Sequence, residues 1–334
     1  MRLAVVLFNL GGPDTPDAIE PFLRNLFSDP AILPMPALIR RPLARFIAAR
    51  RAPVAREIYA KIAGHSPILE ETQAQARALE TALAGHEARA FIAMRCWKPF
   101  SDEAARAVAA WAPDRVVLLP LYPQYSTTTS RSSLEDWGRA AQTAGITAPS
   151  GTICCYPTQS GFITALESLT RQTMAKARPD VTYRLLLSAH GLPERIIARG
   201  DPYQRQVEQT AAALAERLTG VDAQVCYQSR VGPLKWIGPS TDAEIRRAGA
   251  EGKGLIVVPI SFVSEHSETL VELDIEYGRL AQESGVKDYL RVPTVSAHPD
   301  FIGGLAAVIT QRLAGEAPVR ACAPDCRNCG MARN

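Results

Sequence analysis

Acidic residues and one histidine are dense in segment 263–277 of this chain. These residues, which follow a strand-like apolar run at 255–260, are Glu265, His266, Glu268, Glu272 and Glu276. On an α-helix, the spacing of Glu268, Glu272 and Glu276 places all three on one face. Carboxylates in such a stripe repel one another, so the stripe predicts a path for a divalent metal or for protons. The alternative is a solvent-exposed helix face whose first acids complement the helix dipole, and the segment alone favours it.

The cysteines fall into two groups. Three of the seven lie near the C-terminus with the spacing C-x3-C-x2-C, as Cys322, Cys326 and Cys329. Thiolates at this spacing predict a metal centre. The other cysteines lie in or beside apolar runs, as Cys96, Cys154, Cys155 and Cys226. That dispersal argues against the disulfide framework of a secreted protein.

The composition is typical of a soluble globular protein. The chain has 334 residues, enough for two domains, of which 47% are hydrophobic and 21% charged. A net charge of +3 and the lack of a basic-aromatic motif argue against a nucleic-acid partner. Every apolar run is shorter than the roughly 18 residues that a membrane span needs. The N-terminal run is also too short for a signal peptide. The sequence therefore predicts a cytoplasmic protein.

Apolar runs of strand length alternate with amphipathic helical segments along the chain. The runs lie at 3–9, 89–94, 115–120, 151–156, 183–188, 224–228, 254–260 and 289–292. Helical spacing of apolar residues appears in between, at 71–84, 102–111, 161–177 and 202–218. Strands that are apolar throughout predict parallel sheets covered on both faces.

These elements predict an α/β protein with two Rossmann-like, doubly wound domains. Each domain has a parallel four-stranded sheet, and the two sheets face a central cleft. The first domain comprises residues 1–156 plus 303–334, and the second comprises 157–302. Because the carboxyl ends of parallel strands carry the functional loops, the loops that follow the strands should surround the cleft.

The loops that follow the strands carry motifs that occur together in one enzyme family. They read Asn-Leu-Gly-Gly-Pro at 9–13, Gly-His-Ser-Pro-Ile at 64–68, Tyr-Pro-Gln-Tyr-Ser at 122–126, Ser-Ala-His-Gly-Leu-Pro at 188–193, Arg-Gly-Asp-Pro-Tyr at 199–203, Gln-Ser-Arg-Val-Gly-Pro-Leu-Lys-Trp-Ile-Gly-Pro at 228–239 and Glu-His-Ser-Glu-Thr-Leu-Val-Glu-Leu-Asp-Ile-Glu-Tyr at 265–277. In this order they resemble the ferrochelatases, which insert ferrous iron into a porphyrin. The resemblance runs from Leu3 to about Leu313 and implies the same two-domain fold.

The resemblance gives the titratable residues specific roles. A free-base porphyrin must lose two inner protons before a divalent metal can enter, so the site needs a base that is neutral near pH 7. The resemblance implies that His190 is this base and that Glu268 is its acidic partner. It implies that Glu265, His266 and Glu272 carry the iron or the released protons, while Glu276 belongs to the solvent-exposed face.

The resemblance also implies how the porphyrin is held. An enzyme of this class is expected to bind the ring distorted, between apolar and aromatic walls. The implied porphyrin-binding residues are Leu10, Arg51, Tyr59, Ser66, Arg95, Tyr122, Tyr156, Trp236 and Phe262. Many ferrochelatases have an aromatic residue after the arginine of the 95–99 loop, whereas this chain has Cys96 there. A thiol cannot replace a tyrosine hydroxyl in that role.

The cysteine tail resembles the C-terminal ligands of the [2Fe–2S] cluster that some ferrochelatases carry. A zinc site is the alternative, since four cysteines suit both metals. Animal ferrochelatases take their fourth ligand from the position of Thr127, which cannot serve. Cys154 and Cys155 are available instead, at the end of the fourth strand-like run. Because adjacent strand residues face opposite sides and Tyr156 is assigned to the cleft, we expect Cys155 to be the ligand, with Cys154 as the alternative.

Segment 27–53, here called the lip, combines apolar residues with clustered arginines. It predicts peripheral contact with an anionic membrane surface on the inner face, with a helix packed on its own domain as the alternative. Such contact would suit poorly soluble protoporphyrin IX better than coproporphyrin. A coproporphyrin ferrochelatase remains one alternative, and a non-catalytic porphyrin- or haem-binding redox sensor is another. A homodimer is also left open.

Overall fold

The computed structural model describes residues 1–230, 232 and 234–315. The strands are β1 (Arg2–Asn9), β2 (Glu87–Met94), β3 (Arg115–Pro120), β4 (Ser150–Thr152), β5 (Tyr183–His190), β6 (Asp222–Gln228), β7 (Gly254–Pro259) and β8 (Tyr289–Arg291). The α-helices are α1 (Ile19–Ser28), α2 (Ala37–Ala60), α3 (Ile68–Ala82), α4 (Ser101–Trp111), α5 (Ser130–Thr143), α6 (Ser160–Met174), α7 (Glu194–Ala198), α8 (Tyr203–Arg217), α9 (Thr241–Ala250), α10 (Tyr277–Glu283) and α11 (Pro299–Leu313). A short 3₁₀ turn spans Pro16–Ala18, and a π-helix spans Glu268–Glu276.

The strands form two parallel four-stranded sheets with the same order. The first sheet is ordered β2-β1-β3-β4 and the second β6-β5-β7-β8. Leu3 to Phe8 of β1 and all of β7 are buried, as the continuous apolar runs predict. The predicted α/β class with two parallel four-stranded sheets is therefore confirmed.

The strand order creates a switch point in each sheet. In the second sheet the chain moves from β5 outward to β6 and then returns to the other side of β5 as β7. Loops that leave β5 and β7 therefore diverge to opposite faces and open a crevice between them. His190 is the last residue of β5, and the acidic segment follows β7. The topology thus brings the two most informative sequence features to one crevice.

Two sequence predictions about these elements are wrong. Strand β4 ends at Thr152 rather than Tyr156, and its pairing with β3 stops at Leu118. Cys154 and Cys155 therefore lie outside the strand, and the alternation of strand side chains cannot be used to choose between them. The acidic stripe lies on a π-helix rather than an α-helix, so the i, i+4 spacing does not bring all three of its carboxylates together.

The two halves of the chain share a continuous core. Buried residues from both sheets belong to one hydrophobic cluster. Helix α11 packs against both α3, which belongs to the predicted first domain, and α6, which belongs to the predicted second domain. The proposed boundaries at 156/157 and 302/303 stay predictions.

The contact between α6 and α11 depends on a glycine. A Cβ at Gly161 would lie 2.2 Å from the Asp300 carbonyl oxygen, whereas a Cβ at Gly303 would meet no atom within 4 Å. We expect Gly161→Ala to lower the free energy of unfolding by roughly 1–3 kcal/mol through overpacking. Gly303→Ala should instead raise it by up to about 1 kcal/mol, since alanine favours a helix. Urea unfolding of both variants tests this, and equal effects would contradict the close approach.

Candidate active site

His190 is fixed by backbone contacts at the carboxyl end of β5. Its amide donates to Ser261 Oγ at 3.2 Å, and its carbonyl accepts from Tyr203 Oη at 3.0 Å. Ser261 follows β7 and Tyr203 begins α8, so three elements hold this one residue. The imidazole is left pointing into the crevice with 36% of its surface exposed.

His190 and Glu268 form a direct pair. The His190 Nδ1 lies 2.8 Å from Glu268 Oε2, and the Glu268 side chain is 32% exposed. Burial lowers the pKa of His190, but the charge and hydrogen bond of Glu268 together with the charge of Glu272 outweigh burial, and the pKa ends above its ordinary value. Burial raises the pKa of Glu268, yet its interactions with His190 bring it down to about 2. The pair is therefore an ion pair in which the protonated form of the imidazole is stabilised.

Glu272 lies beside this pair, but its pKa is shifted in the opposite direction from that of Glu268. Its carboxylate accepts the Ser229 amide at 2.8 Å, Gln228 Nε2 at 3.1 Å and Tyr277 Oη at 3.1 Å. The Ser229 hydroxyl also donates to it. Burial and the nearby charge of Glu268 raise the pKa of Glu272. Neighbouring carboxylates with separated pKa values are the arrangement that assigns one as the anion and the other as the proton carrier.

The backbone of Ser229 is strained to make these contacts. Its φ is +62°, a conformation that non-glycine residues rarely adopt. In this position both its amide and its hydroxyl reach Glu272, and the hydroxyl lies 3.4 Å from Glu268 Oε2. Strain of this kind persists where surrounding contacts enforce it, commonly at functional sites.

Glu265 and His266 have different surroundings from the central pair. Arg291 Nη1 donates to Glu265 Oε1 at 2.6 Å and the Thr294 amide does so at 3.0 Å. Burial raises the pKa of Glu265, but the charge of Arg291 and the hydrogen bonds from Arg291, Thr269 and Thr294 together outweigh burial and lower the pKa overall. Burial lowers the pKa of His266, whose ring packs 4.7 Å from that of Phe262. The histidine that stays neutral most readily is therefore His266, whereas the sequence interpretation required this of His190.

Glu276 lies apart from the cluster. It pairs with Lys61 at 3.5 Å, and both side chains are about two-fifths exposed, at 42% and 40%. An exposed pair of this kind contributes little to stability. The structure thus brings His190, Glu268 and Glu272 together and leaves Glu276 at the surface, where the sequence also placed it.

The lip and the loops beside it carry several of the implied porphyrin-binding residues. Tyr59 is buried, and its hydroxyl accepts from Ser267 Oγ at 3.4 Å, which links α2 to the acidic segment. Burial raises the pKa of Tyr59 to about 12. Ser66 is buried and packs closely against Gly12. A Cβ added to Gly12 would lie only 2.5 Å from the Ser66 hydroxyl oxygen. Arg51 is exposed, with its guanidinium 5.8 Å from the Phe27 ring.

Arg95 is anchored from behind the crevice. Its Nε donates to Ser132 Oγ at 2.7 Å, and its Nη2 lies 3.0 Å from the buried carboxylate of Asp29. The guanidinium keeps 17% of its surface exposed. Burial raises the pKa of the neighbouring Cys96 thiol to about 12, so this thiol stays protonated.

The remaining implied porphyrin contacts differ in exposure. Tyr156 is 2% exposed and packs against Phe162 and Phe301, at 6.2 and 6.3 Å between ring centroids. Leu10 is partly buried against α1 and α2, and Trp236 is also partly buried. Three buried polar atoms form no hydrogen bond among the described residues: the Tyr122 hydroxyl, the Tyr156 hydroxyl and the Trp236 indole nitrogen. Their contacts with a porphyrin stay predictions.

Sequence reasoning missed several residues that support the site. Gln228 and Ser229 both bond Glu272, and their position in a motif directly after β6 was a usable signal. Arg291 gave no such signal, because it belongs to none of the motifs, whereas Tyr277 is the last residue of the 265–277 motif and could have been considered. Within the described part of the chain, no set of three or more His, Cys, Asp or Glu side chains is arranged to hold a metal ion. The three tail cysteines, Cys322, Cys326 and Cys329, lie outside the described residues.

Comparisons with known proteins agree on one family. The family model described as Ferrochelatase matches residues 2–313. Ferrochelatase of Caulobacter vibrioides is 58% identical over 322 residues, covering 95% of this chain and 92% of that protein. Ferrochelatase of Phenylobacterium zucineum is 59% identical over 311 residues, covering 92% of this chain and 90% of that protein.

A solved structure matches the fold. The structure titled SirB from Bacillus subtilis with Fe3+ superposes with a TM-score of 0.56. It is 12% identical, and the match covers 94% of this chain and 97% of that one. At this identity the similarity concerns the fold alone.

Proposed function

This chain belongs to the ferrochelatase family and inserts iron into a porphyrin in haem biosynthesis, and we propose that its substrate is protoporphyrin IX. The reaction is that of a lyase and would yield protohaem and two protons. The observation that carries the site assignment is the 2.8 Å pair of His190 and Glu268 at the switch point of the second sheet. A protein that only bound a porphyrin would have no use for a base there.

The first step is removal of the inner protons. The neutral imidazole of His190, which faces the crevice, accepts a pyrrole proton. Glu268 stabilises the imidazolium that results. The raised pKa of His190 makes it a stronger proton acceptor than an isolated imidazole. The same raised pKa means that His190 must release its proton before it can act again.

The second step is transfer of the protons away from the ring. Glu272 is the neighbouring carboxylate with the raised pKa, so it takes up a proton at a higher pH than Glu268 does. Once the protons leave, the carboxylates of Glu268 and Glu272 carry a net negative charge, which attracts Fe²⁺. Fe²⁺ and the released protons therefore exchange on the oxygens of these two carboxylates, so the total charge of the site changes little.

The choice of protoporphyrin IX rests on the apolar surface of the lip. Its exposed hydrophobic side chains are Leu38, Ile39 and Phe46, at 91%, 60% and 63% exposure. A poorly soluble porphyrin with two propionates is favoured by such an entrance, whereas one with four propionates would gain more from additional cations. The test compares kcat/KM for protoporphyrin IX and coproporphyrin III with Fe²⁺ under anaerobic conditions. A higher value for coproporphyrin III would establish the alternative, and no metalloporphyrin from either would overturn the assignment of this site.

The lip is also proposed to contact a membrane surface peripherally. No helix among the described residues is long and apolar enough to cross a membrane. Exposed Leu38 and Phe46 share α2 with exposed Arg41 and Arg45, a combination that suits anionic lipid headgroups above acyl chains. Sedimentation with vesicles should show binding to anionic lipid that weakens with Leu38→Ser plus Phe46→Ser. Equal binding of this double variant would refute the contact, and vesicles of zwitterionic lipid serve as the control.

A [2Fe–2S] cluster held by the tail cysteines and Cys155 is the remaining proposal. Cys154 and Cys155 are both buried, and Gln206 Nε2 lies 3.4 Å from Cys155 Sγ. An N–H group directed at a sulfur is a contact that tunes cluster ligands, so this donor supports Cys155 as the ligand. A bound cluster would add a one-electron redox centre.

The visible spectrum of protein purified without oxygen tests the cluster. Cys155→Ser should remove a reddish-brown cluster spectrum, whereas Cys154→Ser should keep it. Cys226→Ser is the matched control, since Cys226 is equally buried and its thiol is bonded by Thr241 Oγ1 at 3.3 Å. A colourless protein with bound zinc would establish the zinc alternative.

A further inference from the structure

Strand β8 is only three residues long, yet two of its side chains reach the π-helix. Arg291 binds the Asp274 carboxylate with two parallel bonds, from Nε at 2.7 Å and from Nη2 at 2.6 Å. Its third nitrogen, Nη1, donates to Glu265 Oε1 at 2.6 Å. One guanidinium therefore joins a residue three positions before the π-helix to a residue inside it.

A second contact from β8 reaches the backbone of the same helix. Tyr289 Oη donates to the Leu273 carbonyl oxygen at 2.6 Å, next to Asp274 in the chain. Leu273 itself is fully buried, so this part of the π-helix is fixed on both its polar and its apolar sides. Since π-helices are rare and are found chiefly as short segments at functional sites, outside contacts are needed to keep one in place.

We propose that Arg291 is a positioning residue for iron insertion, which holds Glu265 and Asp274 together and so keeps Glu268 and Glu272 against His190. This inference rests on the proposed function of the site and extends it to a residue outside the crevice. Arg291 bonds Glu265 and Asp274, and among the described residues no bond joins it to His190, Glu268 or Glu272. Its effect is therefore indirect.

The chemistry of arginine explains why this position needs a guanidinium. Glu265 and Asp274 are acids that would repel each other if nothing stood between them. Arg291 is 12% exposed, and its planar fork satisfies one carboxylate with two bonds while a third donor serves the other. A lysine at the same place presents a point charge and cannot reproduce the parallel pair.

A purely structural ion pair would give a different experimental result. Loss of such a pair would lower the free energy of unfolding but leave the kinetic constants of the folded enzyme unchanged. Loss of a positioning residue should weaken the use of the metal more than the use of the porphyrin. The porphyrin contacts lie on other elements, whereas the acids lie on the π-helix.

The test measures Zn²⁺ and Fe²⁺ insertion by the full chain with Arg291→Met and Arg291→Lys. For Arg291→Met we expect kcat/KM for the metal to fall by about 10- to 100-fold, the usual effect of removing a partner that orients metal-binding groups. The KM for porphyrin should change little, and Arg291→Lys should be intermediate. Arg279→Met is the matched control, because Arg279 follows the π-helix but is 75% exposed, and Glu283 is its one ion-pair partner among the described residues.

Amide hydrogen exchange of residues 265–276 gives a readout that does not depend on turnover. Arg291→Met should accelerate exchange there and leave β5 and β7 protected. If Arg291→Met fails to fold, Asp274→Asn removes the same paired bonds with a nearly isosteric side chain and should show both effects. Unchanged metal kinetics and unchanged exchange in either folded variant would overturn the inference. Absence of insertion by the unmodified chain would instead overturn the proposed function, and the exchange result would still decide the role of Arg291.

Discussion

Replacing His190 by alanine is expected to abolish metal insertion while leaving porphyrin binding intact. The substitution removes the group that we propose accepts the pyrrole proton, and it disrupts the 2.8 Å pair with Glu268. Loss of a general base typically lowers turnover by roughly 10²–10⁴-fold. Porphyrin binding should persist, because the porphyrin contacts that the family resemblance implies lie on the lip and on loops that this change does not touch. Steady-state Zn²⁺ insertion measures the first effect, and quenching of porphyrin fluorescence measures the second.

His86→Ala is the control for this experiment. His86 immediately precedes β2 and therefore lies at the amino end of the first sheet, opposite the edge that carries the functional loops. Its replacement should leave turnover unchanged. Turnover by His190→Ala at the level of the unmodified chain would refute the assigned role of His190. Loss of porphyrin binding together with turnover would show that the residue serves the architecture of the crevice.

The sequence predicted the strands well because their local and tertiary requirements agree. Strands β1, β5 and β7 are buried on both faces, so they must be apolar throughout, and such runs are visible without a structure. Strand β4 shows the limit of this reasoning. Its apolar run continues past Thr152, but a strand needs a partner, and the pairing with β3 stops at Leu118. Pairing length is a property of two segments and cannot be read from one.

The π-helix could not be predicted from its own residues. Its sequence satisfies an α-helical pattern equally well, and the spacing of its acids misleads for that reason. What distinguishes the two forms are contacts from distant positions, notably Arg291 and Tyr289 on a three-residue edge strand. Such a strand has too weak a pattern to draw attention to its side chains.

The electrostatic differences within the site also depend on three-dimensional placement. Glu268 and Glu272 are chemically identical, yet one has a lowered and the other a raised pKa. The sequence correctly placed His190 and Glu268 at neighbouring strand ends. It implied that Glu268 is the acidic partner of His190 but did not indicate that this contact would raise the pKa of the histidine. It also gave no means to see that burial would lower the pKa of His266 instead.

Replacing Glu268 by glutamine should be the second most damaging change. The carboxamide keeps the shape of the side chain but removes the charge that opposes burial at His190, so the pKa of His190 should fall. A catalytic histidine that loses its orienting carboxylate typically loses roughly 10²–10⁴-fold in turnover. Glu276→Gln is the matched control, because Glu276 is on the same helix but pairs only with exposed Lys61. Steady-state insertion and a histidine NMR titration measure both effects.

The pH dependence of stability gives this prediction a definite sign. The raised pKa of His190 stabilises the fold below the ordinary histidine value of 6.5, and this contribution is lost as the pH rises through the folded value. The lowered pKa of Glu268 stabilises the fold above the ordinary value of 4.5, and this contribution is lost as the pH falls towards about 2. The decrease in the free energy of unfolding caused by Glu268→Gln should therefore be largest between pH 4.5 and pH 6.5, and it should become smaller at lower and at higher pH. A loss independent of pH, or one matched by Glu276→Gln, would contradict the ion pair on which the proton transfer depends.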